Sequence, residues 1–264
     1  MGGAMIDVMA VGARGRMGSL TAQTVAAQDD MRLVAAVDPA FSSEDRPPAP
    51  AYADVASALA AVRPQVAVEF STPATVFGNT QALLTAGVHT VVGATGLSAA
   101  QVADLSAQSR RTGANLLVAP NFALGAVLLM RFAAEAARFY ERAEIVELHG
   151  AHKLDAPSGT ALRTAALMAA APGSRLTPPA AGAHAAGSAG PSRGLVADGV
   201  AIHSVRLPGL VAHHEVLFGG TGEVLTLRHD TLSRESFMSG VLLAVRRVQD
   251  LEETVVGLEN LLFG

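Results

Sequence analysis

The chain has 264 residues, half of them hydrophobic and 16% charged, against roughly 25% charged in an average soluble protein, which excludes a disordered chain and indicates a compact one. A formal charge of -4 offers no general attraction to nucleic acid or to acidic membrane surfaces, so a small-molecule partner is expected, with no nucleic acid and no membrane. Without cysteine there is no disulfide framework, thiolate zinc site or iron–sulfur cluster, and the opening MGGAMIDVMAVGARGRMG fits neither a signal peptide nor a membrane span, so a cytoplasmic location is expected.

Residues 6–11 form a short apolar run that ends in AVGARGRMGSL, after which Leu20, Thr21, Thr24 and Val25 recur at helical spacing. This predicts strand, glycine turn, helix. The next run, RLVAAVD, ends at Asp38, about 20 residues beyond the turn, where a dinucleotide fold places the acid that holds the adenosine ribose hydroxyls. Gly12 lets the backbone approach a pyrophosphate, Gly15 lets the helix pack closely on the strand, and the free N–H groups of the first helical turn face the anion. Ala10 stands where the usual fingerprint has its first glycine. Arg14 and Arg16 lie in the turn, where either could reach a 2′-phosphate, whereas Asp38 disfavours one, so NADH and NADPH stay equally open.

VAVEF followed by STP, HTVVGATG and NLLVAPNF are three more apolar runs ending in small, polar or proline residues, with helical stretches at 74–85 and 98–111 after the first two. Alternating strands and helices predict a parallel sheet, whose ligands bind outside the carboxyl ends of the strands, and 71–73, 93–96 and 119–122 fall there. A helix is expected over 124–140, then a strand at AEIVELH. The Ala, Gly, Pro and Ser-rich segment 171–198 has no period and predicts a mobile surface excursion. VAIHSVRL, HHEVLFG and EVLTLRHD are strand-like and, with AEIVELH, predict an open mixed or antiparallel sheet. Residues 233–250 predict a helix with Ser233 as N-cap and Phe237, Val241, Leu242 and Val245 on one face.

The chemistry-bearing segment is ELHGAHKLDAPSGTAL, residues 147–162. Pro157 suits the approach to a helix that begins near Gly159, with Ser158 or Thr160 as its cap. The unpaired N–H groups there, with the hydroxyls of Ser158 and Thr160, make a site for a carboxylate or phosphate, and Gly159 lets the anion come close. Lys153 can add a positive charge or donate a proton to a substrate nitrogen, and His149 and His152 can trade protons near neutral pH. No metal site is expected, because the two histidines lie off a helix without the Glu of H-E-x-x-H. Neither Tyr52 nor Tyr140 has a lysine four residues on, and a P-loop is missing. These residues describe a reductase acting on a small anionic substrate.

ELHGAHKLDAPSGTA, VGARGRMG, EFSTP, GATG, APNFALGAVLLM, SVRLPGLVAHHEVLFG and RHDTLSRESFMSGVLLAVR together closely resemble the 4-hydroxy-tetrahydrodipicolinate reductase family of lysine and diaminopimelate biosynthesis. The resemblance implies hydride delivery from NADH or NADPH to a cyclic imine dicarboxylate. It also implies that His149 is the general acid/base, that Lys153 donates a proton on the nitrogen side, and that Gly159 and Thr160 clamp a carboxylate. Gly12, Ala13, Arg14, Gly15, Arg16, Met17, Asp38, Gly93, Ala94, Thr95, Ala119, Pro120, Asn121 and Phe122 match the family's cofactor-binding positions. A homotetramer built through the substrate-domain sheet is implied as well.

Two departures stand out. Gly150 replaces the second histidine of Glu-x-His-His, which leaves either His152 as its substitute or a non-catalytic NAD(P)H-binding relative as the alternative, and Ala94 replaces a threonine. The expected fold is α/β, with a Rossmann-like parallel-sheet nucleotide domain, residues 1–123 with 235–264. An α+β substrate domain with an open mixed sheet follows at 124–234.

Overall fold

The computed structural model describes residues 5–179 and 193–263. In chain order, β1 (Ile6–Val11), α1 (Arg16–Ala26), β2 (Met31–Val37), β3 (Ala51–Tyr52), α2 (Val55–Ala61), β4 (Val66–Glu69), α3 (Val76–Thr85), β5 (His89–Val92), α4 (Ala99–Thr112) and β6 (Leu116–Val118) lead into α5 (Leu124–Ala136). Then come β7 (Arg142–His149), α6 (Gly159–Ala170), β8 (Leu195–Ala197), β9 (Val200–Arg206), β10 (Ala212–Gly220) and β11 (Glu223–Thr231). A 3-10 turn at Arg234–Phe237, α7 (Met238–Arg247), β12 (Val255–Val256) and α8 (Leu258–Phe263) complete the described chain. It divides into two compact units, Met1–Phe122 with Phe237–Gly264, and Ala123–Ser236.

In the first unit, β3-β2-β1-β4-β5-β6-β12 form a seven-stranded parallel sheet among the described residues. Such strands are covered on both faces and therefore read as continuous apolar runs. Val66, Ala67, Val68 and Glu69 of β4 are all buried, as are Val8, Met9, Ala10 and Val11 of β1. Strand order reverses between β1 and β4, which is where a doubly wound sheet opens its ligand crevice. Helix α4 starts in a full capping box, Ser98 Oγ accepting the Gln101 N–H while Gln101 reaches back to the Ser98 N–H.

The second unit carries a five-stranded sheet among the described residues, ordered β11-β10-β7-β9-β8, with β7 and β9 parallel and the other pairs antiparallel. One face is apolar by strict alternation: Ile145, Val200, Ile202, Val216 and Phe218 pack on Leu129 and Ala133 of α5 and on Ala161, Ala165 and Met168 of α6.

Several expectations change. Helix α5 ends at Ala136, four residues before the apolar pattern fades. The helix expected over 233–250 is a 3-10 turn, then α7, then a second 3-10 turn at Val248–Asp250. Its buried face is Met238, Gly240, Val241, Ala244 and Val245, while Phe237 and Leu242 are only partly covered. Gly240 explains the rotation, since a Cβ there would lie 2.0 Å from the Phe122 carbonyl oxygen and only glycine permits that approach. Of the excursion expected at 171–198, residues 180–192 lie outside the described residues, and residues 195–197 form β8 against β9. The short elements β3, α2, β12 and α8 had no counterpart in the sequence pattern.

Candidate functional site

In the first unit the glycine turn follows β1 directly. Gly12 has φ +74, and a Cβ on it would lie 2.5 Å from the Phe70 carbonyl oxygen at the end of β4. Glycine is thus required by the neighbouring strand as well as by any pyrophosphate. The close helix packing expected of Gly15 belongs instead to Gly18: a Cβ at Gly18 would come within 2.0 Å of the Gly12 carbonyl oxygen, whereas at Gly15 the same oxygen is 3.2 Å away. Gly15 is the N-cap of α1, with φ -70 and ψ 163 and no side chain to cap the helix. The N–H groups of Arg16, Met17 and Gly18 therefore have neither an intrahelical acceptor nor a capping side chain, the arrangement an anion needs.

The rest of the turn is tied down. Gly12 and Ala13 both donate to the Val37 carbonyl, at 2.8 and 3.0 Å. Asp38 accepts the Arg14 N–H at 3.0 Å and the Ala40 N–H at 2.9 Å, one on each oxygen, which leaves each oxygen a lone pair for a ribose hydroxyl. The Arg14 guanidinium is engaged by Asp45 at 3.3 Å, and Arg16 is exposed. A cavity of about 250 Å³ beside the turn is lined by Arg14, Ser19, Phe41, Asp45 and Arg46, among others. These features fit a nicotinamide dinucleotide.

The other two loops serve the fold as much as a ligand. The N–H groups of Gly93 and Ala94 both go to the Glu69 carbonyl, at 2.9 and 3.1 Å, so Thr95, which is exposed, is what this loop presents outward. A Cβ on Gly93 would strike the Phe70 ring at 2.1 Å. Ala119 donates to the Val92 carbonyl, Pro120 is exposed, Asn121 is partly exposed, and Phe122 turns its ring inward onto Phe70 with centroids 5.8 Å apart. Glu69 is fully buried and accepts from the Ser71 N–H and the Asn79 amide, each at 3.2 Å, while its second oxygen has no partner. Burial pushes its pKa up, against those hydrogen bonds.

In the second unit, β7 ends in Glu147 and His149, which share a face. Glu147 is fully buried, and the His149 ring is 16% exposed. Glu147 Oε2 accepts from His149 Nδ1 at 2.5 Å and from Arg206 Nη1 at 2.9 Å. Its Oε1 accepts from Arg206 Nη2 at 2.7 Å and from the Ser158 N–H at 3.1 Å. Burial alone would raise the pKa of this carboxyl, but the hydrogen bonds from Arg206, Ser204 and His149 outweigh it and hold the group below the ordinary carboxylate range. Burial pushes His149 down, Glu147 opposes that shift, and Lys153 and Arg206 add to it. Burial thus favours the neutral form of the imidazole.

Ser158 is buried at the head of α6, its Oγ accepting the Ala161 N–H at 3.2 Å as the N-cap, so Gly159 and Thr160 are the residues that reach the surface there. Lys153 Nζ meets the Asp155 carboxylate at 2.8 Å. Gly150 is buried, and a Cβ on it would lie 2.9 Å from Cε1 of His152 and 3.1 Å from the Leu210 carbonyl oxygen. His152 thus fills the space over Gly150. His214 on β10, paired in register with Glu147, is buried with an unpartnered Nε2, and burial lowers its pKa to about 4. Among the described residues, no group of three or more His, Asp or Glu side chains could hold a metal ion.

Glu147, Arg206, Asp155 and His214 had no assigned role in the sequence. For Glu147 one signal was available: it alternates with Ile145 and His149, which puts a carboxylate on the apolar face of the strand.

Two family models match the chain, described as dihydrodipicolinate reductase, N-terminus, over residues 6–122, and dihydrodipicolinate reductase, C-terminus, over residues 125–262. A 4-hydroxy-tetrahydrodipicolinate reductase of Moorella thermoacetica is 46% identical, with 98% of each chain covered. One of Listeria monocytogenes is 44% identical over 95% of this chain and 97% of its own. Among solved structures, a dipicolinate-bound dihydrodipicolinate reductase from Paenisporosarcina sp. TG-14 aligns with a TM-score of 0.85 and 38% identity over 97% of this chain and 99% of its own. A dehydrogenase from Thermotoga maritima, at 14% identity and a TM-score of 0.65 over 97% of this chain and 92% of its own, shares the fold.

Proposed function

The chain belongs to the dihydrodipicolinate reductase family, and on that premise we propose that it reduces 4-hydroxy-tetrahydrodipicolinate to tetrahydrodipicolinate in lysine and diaminopimelate biosynthesis. A reduced nicotinamide supplies the hydride. The substrate is a cyclic dicarboxylate that loses its hydroxyl as water, is reduced as a conjugated imine and takes up a proton on the ring. Lys153 donates the proton on the nitrogen side and His149 serves as acid or base, while Gly159 and Thr160, beside the Ser158 cap, hold one carboxylate. His152, whose ring covers Gly150, stands in for the family's second histidine.

The turn 12–17 and Asp38 bind the dinucleotide, with Thr95 and residues 119–122 along its path. The cofactor is NADH or NADPH: Asp38 suits a free ribose, Arg16 suits a 2′-phosphate, and Arg14 is already shared with Asp45. The half-exposed sheet face that carries Val146, Leu148, Val205 and Leu217 suits assembly into a homotetramer. A cytoplasmic location is part of the proposal; no helix among the described residues is long and apolar enough to cross a membrane. The matched relatives carry the reductase name, and no observation favours the non-catalytic alternative.

The observation that carries this reading is the clustering of His149, Lys153 and the head of α6 within residues 147–160. Lys153→Ala should lower kcat by about 10²–10⁴-fold in an assay coupled to the preceding synthase, with cofactor affinity unchanged. Near wild-type turnover in that variant overturns the assignment.

A further inference from the structure

Resting on that reading of His149, we propose that Glu147 is the positioning residue of the substrate domain. One buried carboxylate orients the proton-transfer imidazole with one oxygen and anchors the head of the carboxylate-binding helix with the other, so that proton transfer and substrate clamping share a single support.

The geometry carries this directly. Glu147 has no exposed surface, and its two oxygens accept hydrogen bonds from His149 Nδ1, the Ser158 N–H and both terminal nitrogens of Arg206. An ionised carboxylate has no proton to give, so the His149–Glu147 contact requires the hydrogen on Nδ1. The neutral ring then presents Nε2 as a lone pair, ready to accept a proton. Without such a partner an imidazole distributes between two tautomers and two ring flips, and only one arrangement aims a proton acceptor away from β7.

Arg206 is the reason the carboxylate stays ionised in a buried place. Its fork grips both oxygens, and its Nη2 also donates to the Asp155 carbonyl at 2.7 Å, which ties the loop carrying Lys153 to the same support. The charged and titratable groups around His149 are Glu147 on its own strand, Lys153 on the following loop, Arg206 on β9 and His214 on β10. Glu147 is the negative group in contact with the imidazole, and Asp155 faces Lys153 Nζ at 2.8 Å. Removing the Glu147 charge leaves the imidazole facing Arg206, with Lys153 already paired to Asp155.

Glu147→Gln keeps the shape and removes the charge. The reading predicts a fall in kcat of about 10²-fold, the size of an acid–base contribution, with a smaller rise in KM. It also predicts that the pH-profile limb absent from His149→Gln moves to lower pH by about one unit in Glu147→Gln. A merely structural glutamate would lower the yield of folded enzyme and leave that limb in place. If Glu147→Gln does not fold, the double variant Glu147→Gln with Arg206→Met removes both buried charges and is expected to show the same lowered kcat and shifted limb.

Nitrogen-15 NMR of the wild-type enzyme provides a readout that needs no variant: neutral His149 should be the Nδ1–H tautomer. A wild-type Nε2–H tautomer, or a folded Glu147 variant with turnover within threefold of wild type and an unmoved limb, overturns the proposal. Full turnover in His149→Gln is a different failure, that of the underlying assignment of His149.

Discussion

Gly18 and Gly78 both lie in helices, and exchanging each for alanine should shift stability in opposite directions. At Gly18 the added methyl would lie 2.0 Å from the Gly12 carbonyl oxygen and 2.5 Å from its carbon, both backbone atoms that cannot swing away. Real Cβ contacts essentially never fall under 3.0 Å, so α1 must withdraw from the glycine turn by about 1 Å. Overpacking of this kind costs about 1–3 kcal/mol. At roughly 2–4 °C per kcal/mol for chains of a couple of hundred residues, Tm should fall by about 2–12 °C.

The same withdrawal moves the first-turn N–H groups off the position proposed for the pyrophosphate. Losing one hydrogen bond to a charged group costs about 1.5–3 kcal/mol, or about 10–100-fold in cofactor affinity. Gly78 is exposed in α3, and nothing lies within 4 Å of its added methyl, so Gly78→Ala should gain about 0.5–1 kcal/mol from helix propensity and leave cofactor binding alone. Thermal melts and fluorescence titration with NADH and NADPH read both quantities. A Gly18→Ala protein with wild-type Tm and cofactor affinity refutes the assignment of close packing to that glycine.

Three other variants test the buried charges. Arg206→Ala strands the Glu147 carboxylate without its cation, and denaturant unfolding should show a loss of about 3–5 kcal/mol; a loss under about 1 kcal/mol would contradict the pairing. His214 is held neutral, with its pKa lowered from 6.5 to about 4, so the unfolded chain binds the extra proton between those values. Its contribution is fully present above pH 6.5 and is lost as pH falls toward 4, about 3 kcal/mol in all, and His214→Leu should flatten that acid limb of stability. Glu69 is the opposite case: with its pKa raised above 4.5, the folded chain keeps a proton that the unfolded chain releases, so stability falls as pH rises through the raised value. Glu69→Gln should remove that fall, and identical pH slopes in the two proteins would refute it.

The parallel sheet was legible because its strands are buried on both faces and show as apolar runs, each closed by glycine or proline. Asp38 was picked out by spacing, and the structure sets its carboxylate on the Arg14 N–H of the glycine turn. What escaped depends on contacts between distant residues. Gly15 and Gly18 are indistinguishable in a G-x-x-G-x-x-G turn until the Gly12 carbonyl is in place. Arg206 lies 59 residues from Glu147 in sequence, and only the pairing of β7 with β9 brings them together. Elements β3 and β12 are two residues each, too short for any period, although Asp54 capping α2 through the Ser57 N–H was a readable signal. At the candidate site, the residues proposed for proton transfer and the helix head lie together in ELHGAHKLDAPSGTAL. The support beneath them was only half visible: alternation with Ile145 puts Glu147 on the apolar face of its strand, but nothing in the sequence joins it to Arg206.

The central claim is hydride transfer from a nicotinamide to the cyclic imine. Incubating the enzyme with synthase product and NADH or NADPH deuterated at the transferable position, followed by mass spectrometry of tetrahydrodipicolinate, tests it most directly. The account predicts product carrying one deuterium per molecule, at a rate that collapses in Lys153→Ala. Cofactor binding without deuterated product would contradict it.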